Sequence, residues 1–335
     1  MKIAFFVRQY SERGTEVSIY DYAHYNETLL GNKSIVISLH PDVIRQHGSP
    51  FDVDVYARFC ARFNVFLVSS FAEVDILLVR EGVDVYYTQT HGARERPPFG
   101  DVTACTYAVH CVFETRQPHG DVYFSISQQL NERFGTSVPV VPYPVHRGET
   151  TDTLRKELGI PEDAIVFGRH GALDTFDIPM AREAVAEVAK SNPNIYFLFM
   201  NTYDVCDLPN VIHLPKTVDV EVKQRFINTC DAYLHARSDG ETFGLAVAEF
   251  AVSDKPIIAC TSCTDDAHFR ILGDKVYKYT TKDDLVNILR TFRRGDMDMT
   301  TNGYKQFAVG PVMEAFRQIV CRPKPSRPLN FLYRM

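Results

Sequence analysis

The stretch Ser238–Phe250, SDGETFGLAVAEF, places two glutamates, Glu241 and Glu249, on either side of a glycine and a run of small or apolar residues. Upstream, AYLHAR (232–237) reads as a strand. SDG then reads as a turn, FGLAVAEFAVS (243–253) as a helix, and PIIAC (256–260) as the next strand. On this reading Glu241 lies in the loop or first turn, near the positive end of the helix dipole, and Glu249 about two turns along. Two turns are about 7.2 residues, so positions eight apart come close to one face. Thr242 or Asp239 is expected to cap the helix.

The same alternation extends over the chain. KIAFFV (2–7) is a continuous apolar run, as a strand buried on both faces requires. A polar loop with Gly14 follows, then a helix over about 16–30. KSIVISL (33–39), RFNVFLVS (62–69), VDILLVR (74–80), DVYYTQ (84–89), TACTYAVH (103–110), VYFSIS (122–127) and VPVVPYPV (138–145) read as further strands. VVPYPVHRGETTD (140–152), with Pro142 and Pro144 just after Pro139, reads as a linker. A second series follows: AIVFGRHG (164–171) as strand and turn, a helix over 178–191, then strands IYFLFMN (195–201) and NVIHLP (210–215). The helix DVEVKQRFINTC (219–230) and the strand KVYKY (275–279) complete it around the opening stretch. The fold class is therefore α/β, with two tandem doubly wound domains, 1–145 and 146–311. A C-terminal helix over about 312–335 has the option of packing back on the first domain, with Phe331, Leu332 and Tyr333 available to dock.

Composition narrows the function. The 335 residues are 45% hydrophobic and 23% charged, ordinary for a globular protein, and the formal net charge of −6 supplies no global basic field for nucleic acid. No apolar run of about 18 residues occurs, and Ile3–Val7 is too short for a signal-peptide core. The eight cysteines are scattered, so a reduced, cytoplasmic state is expected. Cys260 and Cys263 have CxxC spacing, but no second pair completes a zinc site. No G-x-G-x-x-G follows an early strand, which argues against a nicotinamide dehydrogenase.

In doubly wound sheets, ligands bind beyond the carboxyl ends of the strands. The backbone N–H groups of Phe243, Gly244 and Leu245, at the expected helix start, suit a phosphate or diphosphate, and Gly244 permits close approach. With Glu249 accepting from ribose hydroxyls and Glu241 from sugar hydroxyls, the geometry suits a nucleotide sugar. A glutamate pair at this spacing also fits two solvated helix residues, so the residues between them carry the specificity.

Those residues resemble the E-x7-E signature of retaining GT-B glycosyltransferases of the GT4 type. The likeness extends through CDAYLHARSDGETFG (230–244), AVSDKPIIAC (251–260) and FGRHGALDTF (167–176). It covers roughly residues 164–280, and less of the N-terminal half. It implies a GT-B architecture, two Rossmann-like domains facing across a cleft, with the donor bound by the second. It also implies that Arg169 is directed at the donor diphosphate. The family places a lysine a few residues further on; here ALDTFD (172–177) holds none, and Lys216 is the nearest basic residue in a later loop. Gly14 and Thr15 resemble the small residues of the family's first loop, against the donor phosphates, with Arg13 and Glu16 beside them. His110, near a strand end, matches a histidine placed near the transferred sugar; His170 and His91 are weaker candidates.

The implied reaction moves a sugar from a nucleoside diphosphate sugar to a hydroxyl acceptor with retention, by front-face displacement. The catalytic set is Glu241, His110 and Arg169, and the donor-binding set is Glu249, Thr242, Phe243, Gly244, Leu245, Gly14 and Thr15. No cofactor or metal is expected. Asp52–Asp54 and Asp296–Asp298 have DxD spacing, a triplet frequent by chance. The competing readings are a sugar-nucleotide epimerase of the same fold and a binding module without catalysis. A glycan or related acceptor is expected; peripheral membrane contact stays open, but with no strongly basic amphipathic helix obligate membrane-surface binding is not indicated.

Overall fold

The computed structural model describes residues 1–94 and 102–321. The expected docking of Phe331, Leu332 and Tyr333 lies outside the described residues. The chain divides into two compact units. One comprises residues 1–11, 19–141 and the C-terminal segment from 312; the other comprises 12–18 and 142–311.

The elements of the first half run β1 (Lys2–Val7), α1 (Gly14–Thr28), β2 (Lys33–Leu39), α2 (Pro41–Gln46), α3 (Val53–Arg62), β3 (Asn64–Val68), α4 (Ala72–Arg80), β4 (Val85–Thr90), β5 (Thr106–Cys111), β6 (Val122–Ser125) and α5 (Gln128–Phe134). The six strands form one sheet in the order β3-β2-β1-β4-β5-β6, parallel throughout. Parallel sheets are covered on both faces, which is why β1, β4 and β5 are buried almost end to end.

VDILLVR is a helix here, not a strand. Val74, Leu77 and Leu78 are buried while Ile76 and Val79 are exposed, a one-sided pattern that a short apolar run conceals. VPVVPYPV also forms no ladder. Only the isolated pairings Ser125–Val140 and Val145–Ala308 form, because its prolines lack the N–H a ladder needs.

The elements of the second half run β7 (Ile165–His170), α6 (Pro179–Ser191), β8 (Ile195–Met200), β9 (Val211–Leu214), α7 (Val220–Thr229), β10 (Ala232–His235), β11 (Gly240–Glu241), α8 (Leu245–Val252), β12 (Ile257–Cys260), β13 (Asp265–Asp266), α9 (Ala267–Leu272), β14 (Val276–Tyr279), α10 (Lys282–Thr291), a 3-10 turn (Gly303–Phe307) and α11 (Val309–Val320). Six strands again make a parallel sheet, in the order β14-β12-β10-β7-β8-β9. Both sheets have the doubly wound order, in which the strand sequence reverses beside the first strand of the unit. In the second unit that switch point lies between β7 and β10. Its core joins Ala184, Val185 and Val188 of α6 to Phe167, Phe197, Leu234 and Ile258 of the sheet.

In the first unit, Phe316 of α11 stacks on Tyr22 at 5.0 Å and on Phe5 at 6.4 Å. The helix has apolar Val312, Met313, Phe316 and Val320 at helical spacing, and all four are buried.

Candidate functional site

Site residues of the second unit gather at its switch point. Arg169 and His170 end β7, His235 ends β10, and the Glu241–Glu249 segment follows β10. Side chains alternate along a strand, so Tyr233 and His235, two apart, share a face of β10, and Arg237 follows just beyond the strand end. Tyr233 is buried, and its hydroxyl donates to the His170 carbonyl at 3.2 Å. Burial pushes the Tyr233 phenol far up, and the charges of Arg169, Glu241 and Glu249 all act on it.

Arg169 is 2% exposed. Its guanidinium donates to the Asn201 carbonyl at 3.1 Å, the Ala172 carbonyl at 2.8 Å, and the hydroxyls of Thr202 and Thr175. These bonds tie the turn after β7 to the turn after β8. Burial lowers its pKa, and the field of Glu241 opposes that shift.

Glu249 lies inside α8, with its side chain 9% exposed. It meets His170 Nε2 at 3.1 Å through Oε2 and Lys223 Nζ through Oε1. Burial opposes ionisation of the carboxyl, but Lys223 and His170 outweigh it and hold its pKa well below the usual range. Burial also lowers the His170 pKa, against the pull of Glu249.

Glu241 lies in the two-residue strand β11, not on the helix. Its Oε1 is 3.3 Å from His235 Nε2 and its Oε2 3.2 Å from Arg237 Nη1. Its side chain is 18% exposed. Burial raises its pKa less than His235 and Arg237 lower it, so the net shift is downward. Gly240 pairs with Asp265 and Glu241 with Asp266. Gly240 has φ +74°, and a Cβ there would collide with the Asp265 carbonyl. The Asp177 carboxylate holds Ser238 through its N–H at 2.8 Å and its hydroxyl at 2.6 Å.

The start of α8 corrects the sequence reading. The helix begins at Leu245, and Gly244 is its N-cap in the left-handed region, φ +82°, with no side-chain cap. Thr242 and Asp239 therefore do not cap it. The N–H groups without a partner inside the helix belong to Gly244, Leu245, Ala246 and Val247, and Phe243 lies before the cap. Glu241 and Glu249 share no helical face, because only Glu249 is helical. A Cβ on Gly244 would sit 3.1 Å from Glu241 Cβ and Cγ, so this glycine lets the glutamate side chain pass. The Phe243 ring packs among Tyr143, Tyr304 and Phe307, and its carbonyl accepts from the Tyr304 hydroxyl.

Residues 12–18 group with the second unit. A Cβ on Gly14 would lie 3.7 Å from Leu245 Cβ, an ordinary contact. Thr15 and Ser18 hydrogen-bond the Tyr143 hydroxyl, and Glu16 is buried. Arg13 pairs with Asp174 at 3.1 Å, and Lys216 with Glu12 at 2.9 Å.

His110 is fully buried in the first unit. It is bonded to the Tyr87 hydroxyl at 2.8 Å through Nδ1 and stacked on Phe124 at 4.5 Å. Its side chain lies in the core of that unit. The ring of His91 stacks on Phe113 at 5.5 Å. Asp52 caps α3, and Asp298 holds Thr300. The CxxC cysteines remain thiols, Cys260 buried at the end of β12. Among the described residues, no group of three or more His, Cys, Asp or Glu side chains is placed to hold a metal ion.

Sequence reading missed Lys223, His235, Arg237 and His268. Alternation along β10 from Tyr233 would have found His235, while Arg237 lies beyond the strand end. Lys223 and His268 carry no local signal, since α7 and α9 reach the site only in the fold.

His110 and His268 make a testable pair. Burial lowers each from 6.5 to about 3. The unfolded chain thus takes up these protons first. Their contribution to stability is complete above about pH 6.5 and is lost as the pH falls toward 3. The slope is about 1.4 kcal/mol per pH unit for each histidine. Urea midpoints are expected to fall from pH 7 to pH 5, and His110→Phe to flatten part of that slope. Equal midpoints at the two pH values would refute the assignment.

No protein-family model matches the chain, and no curated protein matches it either. Solved structures do. A glycosyltransferase from Rickettsia africae ESF-5 is 11% identical, with TM-score 0.65, covering 95% of this chain and 98% of that one. Anabaena Alr3699/HepE, solved in complex with UDP and glucose, is 16% identical, with TM-score 0.67 and the same two coverages. A putative UDP-N-acetylglucosamine 2-epimerase from Listeria monocytogenes is 13% identical, with TM-score 0.57, covering 95% of each chain. The fold is the α/β GT-B fold, two six-stranded parallel sheets with helices, as in these glycosyltransferases.

Proposed function

We propose that the chain is a retaining glycosyltransferase of the GT4 type that moves a sugar from a nucleoside diphosphate sugar to a hydroxyl of a glycan or related acceptor. The supporting observation is the pair Glu241 and Glu249, both held ionised beyond the carboxyl ends of β7 and β10. A carboxylate offers about four acceptor positions. Glu241 uses two on His235 and Arg237, and Glu249 uses one on Lys223 while its other oxygen lies 3.1 Å from His170 Nε2. Acceptor positions remain on each, for sugar hydroxyls at Glu241 and ribose hydroxyls at Glu249. The N–H groups of Leu245, Ala246 and Val247 then receive the diphosphate, with Gly14 and Thr15 packed nearby. The UDP complex of the Anabaena structure lends support to a nucleotide donor. Arg169 contributes its charge to the leaving diphosphate, while its hydrogen bonds hold the turns around it.

In this mechanism the leaving phosphate takes the acceptor proton as the bond to the sugar breaks on the same face. The protein supplies orientation and charge. We propose that it works without a metal or other cofactor. No helix of the described residues is long and apolar enough to cross a membrane. A cytoplasmic enzyme meeting its acceptor in solution or at a membrane surface fits the reading.

The Listeria neighbour motivates a second reading, epimerisation of a sugar nucleotide. One experiment separates the two. Purified protein is incubated with a panel of nucleoside diphosphate sugars and followed by thermal shift and NMR. One donor is expected to raise the melting temperature and to release free nucleoside diphosphate slowly by hydrolysis. Conversion of the sugar with the nucleotide still attached supports the epimerase instead. Binding of no donor removes both.

A further inference from the structure

We infer that His235 is the positioning residue of Glu241: its imidazole, seated against His268, fixes one carboxylate oxygen while Arg237 fixes the other. This inference rests on the proposed transfer reaction. His235 is 2% exposed, and its backbone carbonyl accepts from the Tyr279 hydroxyl at 3.0 Å, which anchors the end of β10. Nε2 faces Glu241 Oε1 at 3.3 Å. Nδ1 is buried with no hydrogen-bond partner among the described residues. In the neutral ring the proton therefore belongs on Nε2, where the acceptor is.

His268 stands behind this ring, centroids 4.8 Å apart and planes tilted by 38°. It is fully buried, and neither of its ring nitrogens has a hydrogen-bond partner among the described residues. Buried polar atoms left without partners are costly, so their presence beside a carboxylate calls for a reason. Here the reason is packing. A second flat ring packed against the first limits its rotation, and the two rings make no hydrogen bond to each other. His268 reaches this place through the ladder that also fixes the Glu241 backbone, since Glu241 pairs with Asp266, two residues before it. Backbone and side chain of Glu241 are thus held by one arrangement. A glutamate on a free helix face would sample several rotamers. This one presents its remaining lone pairs in a single direction.

The test compares two amides. His235→Gln places an amide nitrogen close to the position of Nε2, whereas His235→Asn reaches only the position of Nδ1. For donor hydrolysis, Asn is expected to lower kcat about 100-fold with KM nearly unchanged. Gln is expected to restore at least about a tenth of the wild-type rate. Equal losses in both variants, tracking equal losses in melting temperature, would make His235 merely structural and overturn the proposal. Full activity in the Asn variant would overturn it as well. Imidazole 15N NMR of the unmodified protein, assigned by difference against His235→Gln, needs no turnover. It is expected to show His235 protonated on Nε2. If the protein turns over no donor, the transferase reading falls while the NMR result still decides the contact. A ring protonated only on Nδ1 would refute the contact.

Discussion

Glu241→Gln is expected to lower turnover of the donor about 100-fold or more while the protein stays folded. The amide keeps the shape of the carboxylate but loses its charge and replaces one acceptor oxygen with a donor. Arg237 presents an N–H group to this side chain at 3.2 Å, and on the inferred tautomer His235 presents Nε2–H to it at 3.3 Å. One of them must then face the amide NH2, at a stability cost of about 1–3 kcal/mol. If Glu241 holds the sugar as proposed, the sugar loses a charged acceptor at the carbon being transferred, where preorganised electrostatics contribute most to rate. Glu241→Ala should behave alike in turnover. Release of nucleoside diphosphate, read beside a circular-dichroism melt, checks the pair. Wild-type turnover in either variant would remove Glu241 from the mechanism.

Removing the other carboxylate should act differently. Glu249→Ala leaves Lys223 and His170 without their common partner inside the unit. Breaking a buried pair by deleting one member costs about 3–5 kcal/mol. The 22% exposure of Lys223 lets water recover part of this, so about 3 kcal/mol is expected from urea unfolding. If Glu249 holds ribose hydroxyls, far from the bond that breaks, donor KM should rise at least about tenfold and kcat should fall less. A fall in kcat at constant KM would contradict that role.

The same residue has a pH signature. Its folded pKa lies below the ordinary 4.5, so the unfolded chain binds the proton first. The stabilisation is present above about pH 4.5 and is lost as the pH falls toward the folded value. Glu249→Gln should remove this component of acid sensitivity while leaving the one due to His110 and His268.

Much of this architecture can be read from single segments. Strands such as Lys2–Val7, Ile195–Met200 and Ile257–Cys260 are continuous apolar runs, because parallel strands are buried on both faces. Helix Pro179–Ser191 shows its buried stripe at helical spacing. The failures have the same local origin. In Val74–Arg80 a seven-residue segment with five apolar residues does not distinguish a strand from a one-sided helix. In Val138–Val145, β-branched residues favour a strand, while the prolines remove the donors a ladder needs.

The two glutamates mark where the sequence stops. It determined by itself that a strand, a glycine turn and a short apolar helix would carry Glu241 and Glu249, because these are properties of adjacent residues. It suggested that one helix face would join the carboxylates. The tertiary structure decided otherwise: β11 pairs with β13, which takes Glu241 off the helix, and each carboxylate finds its own partners. It likewise set Arg169 among carbonyls and hydroxyls and His110 inside a core. The physical reason is that charge and hydrogen-bond partners of buried groups are settled by elements distant in sequence. Lys223 and His268 reach these glutamates from 26 and 27 positions away, a distance over which local periodicity carries no information.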